Sequence, residues 1–255
     1  MTSSGGESGE TGAVPPSMTV CSWNVNNRVG KTTFRPEAAA AAMETDADVL
    51  VFNEFFPKDA LPAFRANLTA GGWAHQTLSI TGAVKANRIF VASRYPVTAV
   101  KLPASTVDEH LTSNALSFDI GVFRLLAIRV PAYESGQERR DAFTWLAGVA
   151  DELQQAGRPS MIFGDLNTSM TATGSRRIDA FHALLENGWD RAQPEGVGSF
   201  VGKRGWCEID HVLATEICQI SDARYVSKTE SYELAGTAAS LSDHAALVFR
   251  VKAMS

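Results

Sequence analysis

Short apolar runs that break into polar pairs recur along this chain. Met18-Thr19-Val20-Cys21-Ser22-Trp23 leads into Asn24-Val25-Asn26-Asn27, a β-branched and aromatic run that reads as a strand with a polar end. Val49-Leu50-Val51-Phe52 is too short for most helices and predicts a strand buried on both faces, stopping at Asn53-Glu54. Met161-Ile162-Phe163 behaves likewise and stops at Gly164-Asp165-Leu166-Asn167. Helical patterns lie between these runs. The Ala-rich stretch 36–43, with Pro36 in its first turn, predicts one helix, and a shorter one is expected over 58–68. Phe143, Leu146, Ala150 and Leu153 recur at three- and four-residue steps and predict a helix over 137–154, with Ser135 and Glu138 at capping-box spacing. Strand-like runs over 73–80, 88–92, 97–102, 115–118 and 122–130 form a section broken by Gly, Pro and Asn, expected to be antiparallel. After Asn167 the pattern gives a helix over 176–186, N-capped by Ser175 and striped by Ile178, Phe181 and Leu185, then strands over 208–213, 219–226 and 245–251. Strand–helix alternation on both sides of a strand-rich middle predicts two related sheets, although no repeat of fixed period is visible.

Composition narrows the class. With 255 residues, 45% hydrophobic and 20% charged, the chain has an ordinary globular balance and the size of one large domain. Residues 1–17 are rich in Gly, Ser, Thr and Glu and read as a disordered leader, leaving one domain over 18–255. No stretch is apolar enough to predict a membrane span. Cys21, Cys207 and Cys218 are scattered without CxxC spacing, which suggests free thiols in a reducing compartment and a cytoplasmic location. The net charge of −5 argues against a broad basic face, and the chain is expected to be a monomer.

The polar ends carry the candidate chemistry. Asn24, Asn26, Glu54, Asp165, Asn167, Asp210, Asp243 and His244 each fall at or near a predicted strand end. Alternation on a strand predicts that Asp165 and Asn167 project the same way, as do Asn24 and Asn26. Asp and Asn are also the default residues of a turn after a strand, and by itself each pair admits that reading. If the ends converge, they form an acidic pocket with one histidine, a hard-oxygen environment that suits Mg²⁺ or Mn²⁺. Carboxylates packed without a cation would repel one another, so the pocket implies a divalent ion.

The segments Ser-Trp-Asn-Val-Asn (22–26), Phe-Asn-Glu (52–54), Gly-Asp-Leu-Asn (164–167), Glu-Ile-Asp-His (208–211) and Ser-Asp-His (242–244), in this order, resemble the endonuclease/exonuclease/phosphatase superfamily of exonuclease III-like and deoxyribonuclease I-like phosphoesterases. The resemblance implies an α/β (α+β) fold, a four-layer α/β/β/α sandwich with two mixed β-sheets face to face and the site at their common edge. It implies metal ligands at Glu54, Asn24 and Asp243. Asp165 would activate the attacking water, Asn167 would hold a phosphate oxygen, and His244, oriented by Asp210, would contact the phosphoryl group. Two departures stand out. Asn26 stands where many nucleases of the family carry Asp, and Arg129 stands where they often place Tyr and other members His.

Basic pairs at Arg139-Arg140, Arg176-Arg177 and Lys203-Arg204 lie in loops next to these segments, and Trp206 is nearby. Arg129, Arg140, Arg176, Arg177, Lys203, Arg204, Trp206 and Asn26 are therefore the candidate substrate contacts, with nucleic acid as the expected partner. His211 follows Asp210 on the same strand and should face the other sheet surface as a packing or surface residue. The expected activity is Mg²⁺- or Mn²⁺-dependent hydrolysis of a phosphodiester by in-line water attack. The alternatives are a phosphatase or phospholipase C-type hydrolase on a small phosphate ester or lipid head group, and an inactive binding module on the same fold.

Overall fold

The computed structural model describes residues 16–26, 36–56, 59–80, 86–103, 109–132, 135–172 and 178–254. Its first sheet holds β1 (Ser17–Asn24), β2 (Val49–Phe55), β3 (His75–Leu78), β4 (Arg88–Ser93), β13 (Cys218–Val226) and β14 (Ala246–Ala253), in the order β13-β14-β1-β2-β4-β3. The second holds β5 (Thr98–Val100), β6 (Ala115–Ile120), β7 (Phe123–Ile128), β8 (Ser160–Asp165), β9 (Trp189–Arg191) and β12 (Asp210–Thr215), in the order β5-β6-β7-β8-β12-β9. A separate hairpin pairs β10 (Phe200–Gly202) with β11 (Gly205–Cys207).

Residue alternation decides how the layers stack. Val49 and Val51 of β2 join Met161 and Phe163 of β8 in one apolar cluster, which is the core between the sheets. Leu50 and Phe52 point the opposite way, onto α1 (Pro36–Met43) and α2 (Leu61–Ala70), where Phe64 and Leu68 meet them. Ile162 likewise faces α4 (Gly136–Gln155) and α5 (Asp179–Glu186), against Phe143, Leu146 and Phe181. Both sheets are thus covered on both faces, as a continuous apolar strand requires, and the result is the expected α/β/β/α sandwich.

The two sheets are built alike. β1 and β2 run parallel across α1, and β4 joins β2 antiparallel with β3 outside it. β7 and β8 run parallel across α4, and β12 joins β8 antiparallel with β9 outside it. Two units of the same order, β1-α1-β2-α2-β3-β4 and β7-α4-β8-α5-β9-β12, therefore face each other.

Local sequence explains most boundaries. The Ser135 hydroxyl accepts the N–H groups of Gln137 and Glu138, so α4 starts where the capping pattern places it. α1 has the expected bounds. The structure describes α5 only from Asp179, with Ile178 at its cap position; Ser175, Arg176 and Arg177 lie outside the described residues, as do positions 1–15 of the expected leader. β2 runs past Phe52 to Phe55, with an irregular register against β4 between Phe52 and Phe55, and Glu54 takes a left-handed backbone there (φ 54°). The three-residue strands β9, β10 and β11 and the short helix α3 (Glu109–Ser113) were not expected, since so few residues carry no readable period. Among the described residues, no helix is long and apolar enough to cross a membrane.

Candidate active site

Parallel β1–β2 and β7–β8 end at the same edge of the sandwich, and antiparallel β12 begins there, directly opposite the end of β8 (Asp210 beside Asp165). Each strand end contributes a polar side chain, and hydrogen bonds link them. Asn24 Nδ2, at the end of β1, donates to Asp165 Oδ2 at the end of β8 over 2.9 Å. Arg129, just past β7, brings Nη2 to 2.7 Å from Glu54 Oε1 near the end of β2. Arg129 Nε lies 3.9 Å from Asp165 Oδ2, without a hydrogen-bond partner of its own. In both pairs the donor lies at or just past the end of the first strand of one unit, and the carboxylate at or near the end of the second strand of the other.

Both polar dipeptide patterns form turns at the edge where the candidate residues gather. Asn24 Oδ1 accepts the N–H of Asn26, and Asp165 Oδ1 accepts the N–H of Asn167, each over 2.9 Å. Asn26 and Asn167 both take left-handed backbones, with φ of 49° and 48°. Asn167 Nδ2 donates to Val130 O (2.8 Å) and to Asp165 Oδ2 (3.1 Å). Both amide hydrogens of Asn167 are therefore engaged, and a phosphate oxygen gains one only by displacing Val130 or Asp165. Gly164 is required beside this loop. Its φ is +128°, and a Cβ there would stand 2.2 Å from Ile128 O.

Asp165 is 1% exposed, and burial, with the adjacent charge of Asp210, raises its carboxyl to about 7 despite the donors around it. Asp210 is equally buried, and its Oδ2 lies 2.9 Å from His244 Nδ1. Burial opposes the charged imidazole, but the charge and hydrogen bond of Asp210, with Asp165 and Asp243, outweigh it and lift His244 to about 9. The site thus pairs a carboxylate that titrates near neutrality with a histidine that stays protonated there.

Residues that the sequence did not single out fix this pair. Ser199 Oγ accepts the N–H groups of Ile209 (2.9 Å) and Asp210 (3.0 Å), and the Phe200 ring sits 4.9 Å from the His244 ring. Trp23 Nε1 donates to His244 O, and Ser242 Oγ donates to Asn24 O. Ser199 lies eleven positions from Asp210 and belongs to no strand, so no local pattern announces it. Ser242 does sit inside the Ser-Asp-His segment, and that was its signal. His211 faces the helical layer, 5.2 Å from the Phe181 ring; its Nδ1 accepts from Arg191 Nε, so Nε2–H donates to Thr168 O at 2.8 Å.

The remaining candidates are placed as follows. Asp243 is half-buried, with its Oδ1 3.4 Å from Ser242 Oγ. Lys203 and Arg204 are exposed at the turn of the β10–β11 hairpin, whose root carries the Phe200 that touches His244. Trp206 is half-buried against the core, and a Cβ at Gly236 would stand 3.1 Å from its ring, so it packs down against the fold. Arg140 is exposed and donates to Gln137 Oε1; its neighbour Arg139 is the one that reaches the site, donating to Asn167 O. Helical geometry separates them, because consecutive residues point about 100° apart. Beside Asn167 runs a groove of about 460 Å³, lined by Arg139, Thr168, Ser169, Thr171 and Cys207. All three cysteines are free thiols.

A divalent cation would find one-sided chemistry here. Glu54, Asn24 and Asp243 offer only oxygen ligands, which fits Mg²⁺ or Mn²⁺ held by few protein groups and several waters. Among the described residues there is no group of three or more His, Cys, Asp or Glu that could hold a metal. Part of the negative charge is met by the chain itself: Arg129 stands against Glu54 and, at 3.9 Å, Asp165, and His244 stands against Asp210.

Comparison with known proteins agrees with this architecture. A family model described as "Endonuclease/Exonuclease/phosphatase family" matches residues 21–244. No curated protein matches significantly. Among solved structures, an endonuclease/exonuclease/phosphatase from Beutenbergia cavernae DSM 12333 is similar with a TM-score of 0.70 at 20% identity, covering 93% of this chain and 72% of that one. An AP endonuclease from Archaeoglobus fulgidus gives 0.69 at 18% identity, over 91% and 98% of the two chains. The 3′ phosphatase NExo from Neisseria, bound to a product DNA hairpin, gives 0.67 at 20%, over 91% and 98%.

Proposed function

The chain belongs to the endonuclease/exonuclease/phosphatase family, and on that footing we propose that it is a divalent-metal-dependent phosphoesterase that hydrolyses nucleic-acid phosphodiesters by in-line attack of water. One observation carries the reading: Asp165, raised toward neutrality, lies beside Asp210, whose contact with His244 keeps that imidazole protonated, so a base and a cationic donor share one site. Asp165 accepts the proton of the attacking water. Asn24, Asn167 and the Arg129 guanidinium hold its carboxylate in place, which makes Asn167 a positioning residue in this geometry. His244 donates to a phosphoryl oxygen where negative charge grows, with Asp210 fixing its ring. Glu54, Asn24 and Asp243 would hold Mg²⁺ or Mn²⁺, which when bound supplies Lewis-acid polarisation and stabilises the leaving oxygen.

Nucleic acid is favoured by the groove beside Asn167 with Arg139 at its wall, and by the exposed Lys203 and Arg204 on the hairpin that packs on His244. The structural relatives named as an AP endonuclease and as a 3′ phosphatase bound to DNA point the same way. The test is product release from abasic duplex, single-stranded DNA, RNA, sphingomyelin and bis(4-nitrophenyl) phosphate, with Mg²⁺, Mn²⁺ or chelator. The reading expects chelator-sensitive cleavage, fastest on a nucleic acid and lowered about 10³-fold by Asp165→Asn. Cleavage of sphingomyelin alone would overturn the substrate, and activity indifferent to chelator and to Asp165→Asn would overturn the mechanism.

A further inference from the structure

The Arg129–Glu54 pair sits where the donor set for a cation is found. Glu54 is 12% exposed by its side chain and Arg129 15%, so solvent screens the pair weakly. A permanent cation 2.7 Å from Glu54 Oε1 must weaken the attraction of a dication to the same carboxylate. The guanidinium is also incompletely satisfied: Nε is buried with no hydrogen-bond partner, and Asp165 Oδ2, the nearby acid, stands 3.9 Å off. A buried N–H in that state is costly. The Nε–Nη2 edge is the one that grips two oxygens of a phosphate side by side, and a phosphate would satisfy Nε where Glu54 and Asp165 do not.

We propose that Arg129 is an internal counter-ion that competes with the divalent metal for Glu54 and yields it when a phosphate takes the guanidinium, so that metal and phosphate bind cooperatively. The proposal rests on Glu54 being a metal ligand, as in the function proposed above, and adds that this chain's own arginine sets how the metal loads. Reciprocity follows, since a phosphate that tightens the metal must be tightened by it to the same degree.

The test is Mn²⁺ binding to the full chain, followed by titration calorimetry and by the electron paramagnetic resonance of free Mn²⁺, with and without inorganic phosphate. Arg129→Gln should bind Mn²⁺ about tenfold more tightly than the unaltered protein without phosphate. Phosphate should tighten Mn²⁺ about tenfold in the unaltered protein and hardly at all in Arg129→Gln. Arg129→Lys, which keeps the charge, should stay near the unaltered affinity, and thermal unfolding of each variant checks that it is folded. If Arg129→Gln binds Mn²⁺ no more tightly while Glu54→Gln abolishes binding, the competition is refuted and the metal assignment stands. If no variant binds Mn²⁺, or Glu54→Gln binds it unchanged, both the competition and the assignment of Glu54 fall.

Discussion

The two units that face each other across the core place a donor at or just past the end of their first strand and a carboxylate near the end of their second, yet their carboxylates have become different chemical objects. Glu54 in the β1–β4 unit is met at 2.7 Å by the permanent charge of Arg129, whereas Asp165 in the β7–β12 unit accepts from the neutral amide of Asn24 and has Arg129 only at 3.9 Å. Asp165 is also more deeply buried, 1% against 12% by side chain, and has Asp210 as a like-charged neighbour. Burial first, and then the charge of Asp210, raise Asp165 so that it takes up a proton near neutral pH. Depth of burial and the like-charged Asp210 set Asp165 apart as the candidate base.

Exchanging the partners breaks the comparison most severely. Asn24→Asp sets two buried carboxylates 2.9 Å apart and should lower the unfolding free energy by about 4–5 kcal/mol, read by urea denaturation at pH 8. Adding Asp165→Asn restores a donor opposite an acceptor, so the double variant should regain most of that stability while remaining inactive. If the double variant is as unstable as Asn24→Asp, the cross-unit bond does not stabilise as described. Next comes the close approach behind the base. Asn53 and Gly164 precede the two carboxylates and face each other, and Gly164→Ala forces a left-handed alanine into Ile128 O, a loss of about 3–4 kcal/mol by the same measurement. An alanine variant as stable as the unaltered protein would contradict that packing. The smallest effect sharpens the second unit alone. His211, held by Arg191 and Thr168, is lowered to about 4 by burial, so its folded form stays neutral while the unfolded chain protonates near 6.5. Its contribution is complete above pH 6.5 and is lost as pH falls toward 4, by about 3 kcal/mol in all. His211→Gln should lose less stability than the unaltered protein over that window; equal losses would show that the histidine is not held neutral.

Much of this was legible in the chain. The apolar runs ending at Asn24, Glu54 and Asp165 gave strands whose alternating residues divide between core and helical layers, because alternation is a local property. The pairing of Asn24 with Asp165, 141 positions apart, was not legible, since nothing at either residue records which strand end it will meet. The same is true of Ser199 under Asp210 and of Arg139, which reaches Asn167 where its neighbour Arg140 does not. Arg129 was visible as a departure, but its partner Glu54 belongs to the other sheet and only the folded chain reveals the pair.

The central claim is that Asp165 is the base and His244 the protonated donor, and the pH dependence of kcat/KM tests it most directly because it reports groups of the free protein. On bis(4-nitrophenyl) phosphate, the rate should rise as pH passes about 7, where Asp165 loses its proton, and fall above about 9, where His244 loses its own. Asp165→Asn should lower the rate by about 10³-fold and remove the acid limb. A profile flat from pH 5 to 10, or an acid limb that survives in Asp165→Asn, would contradict the account.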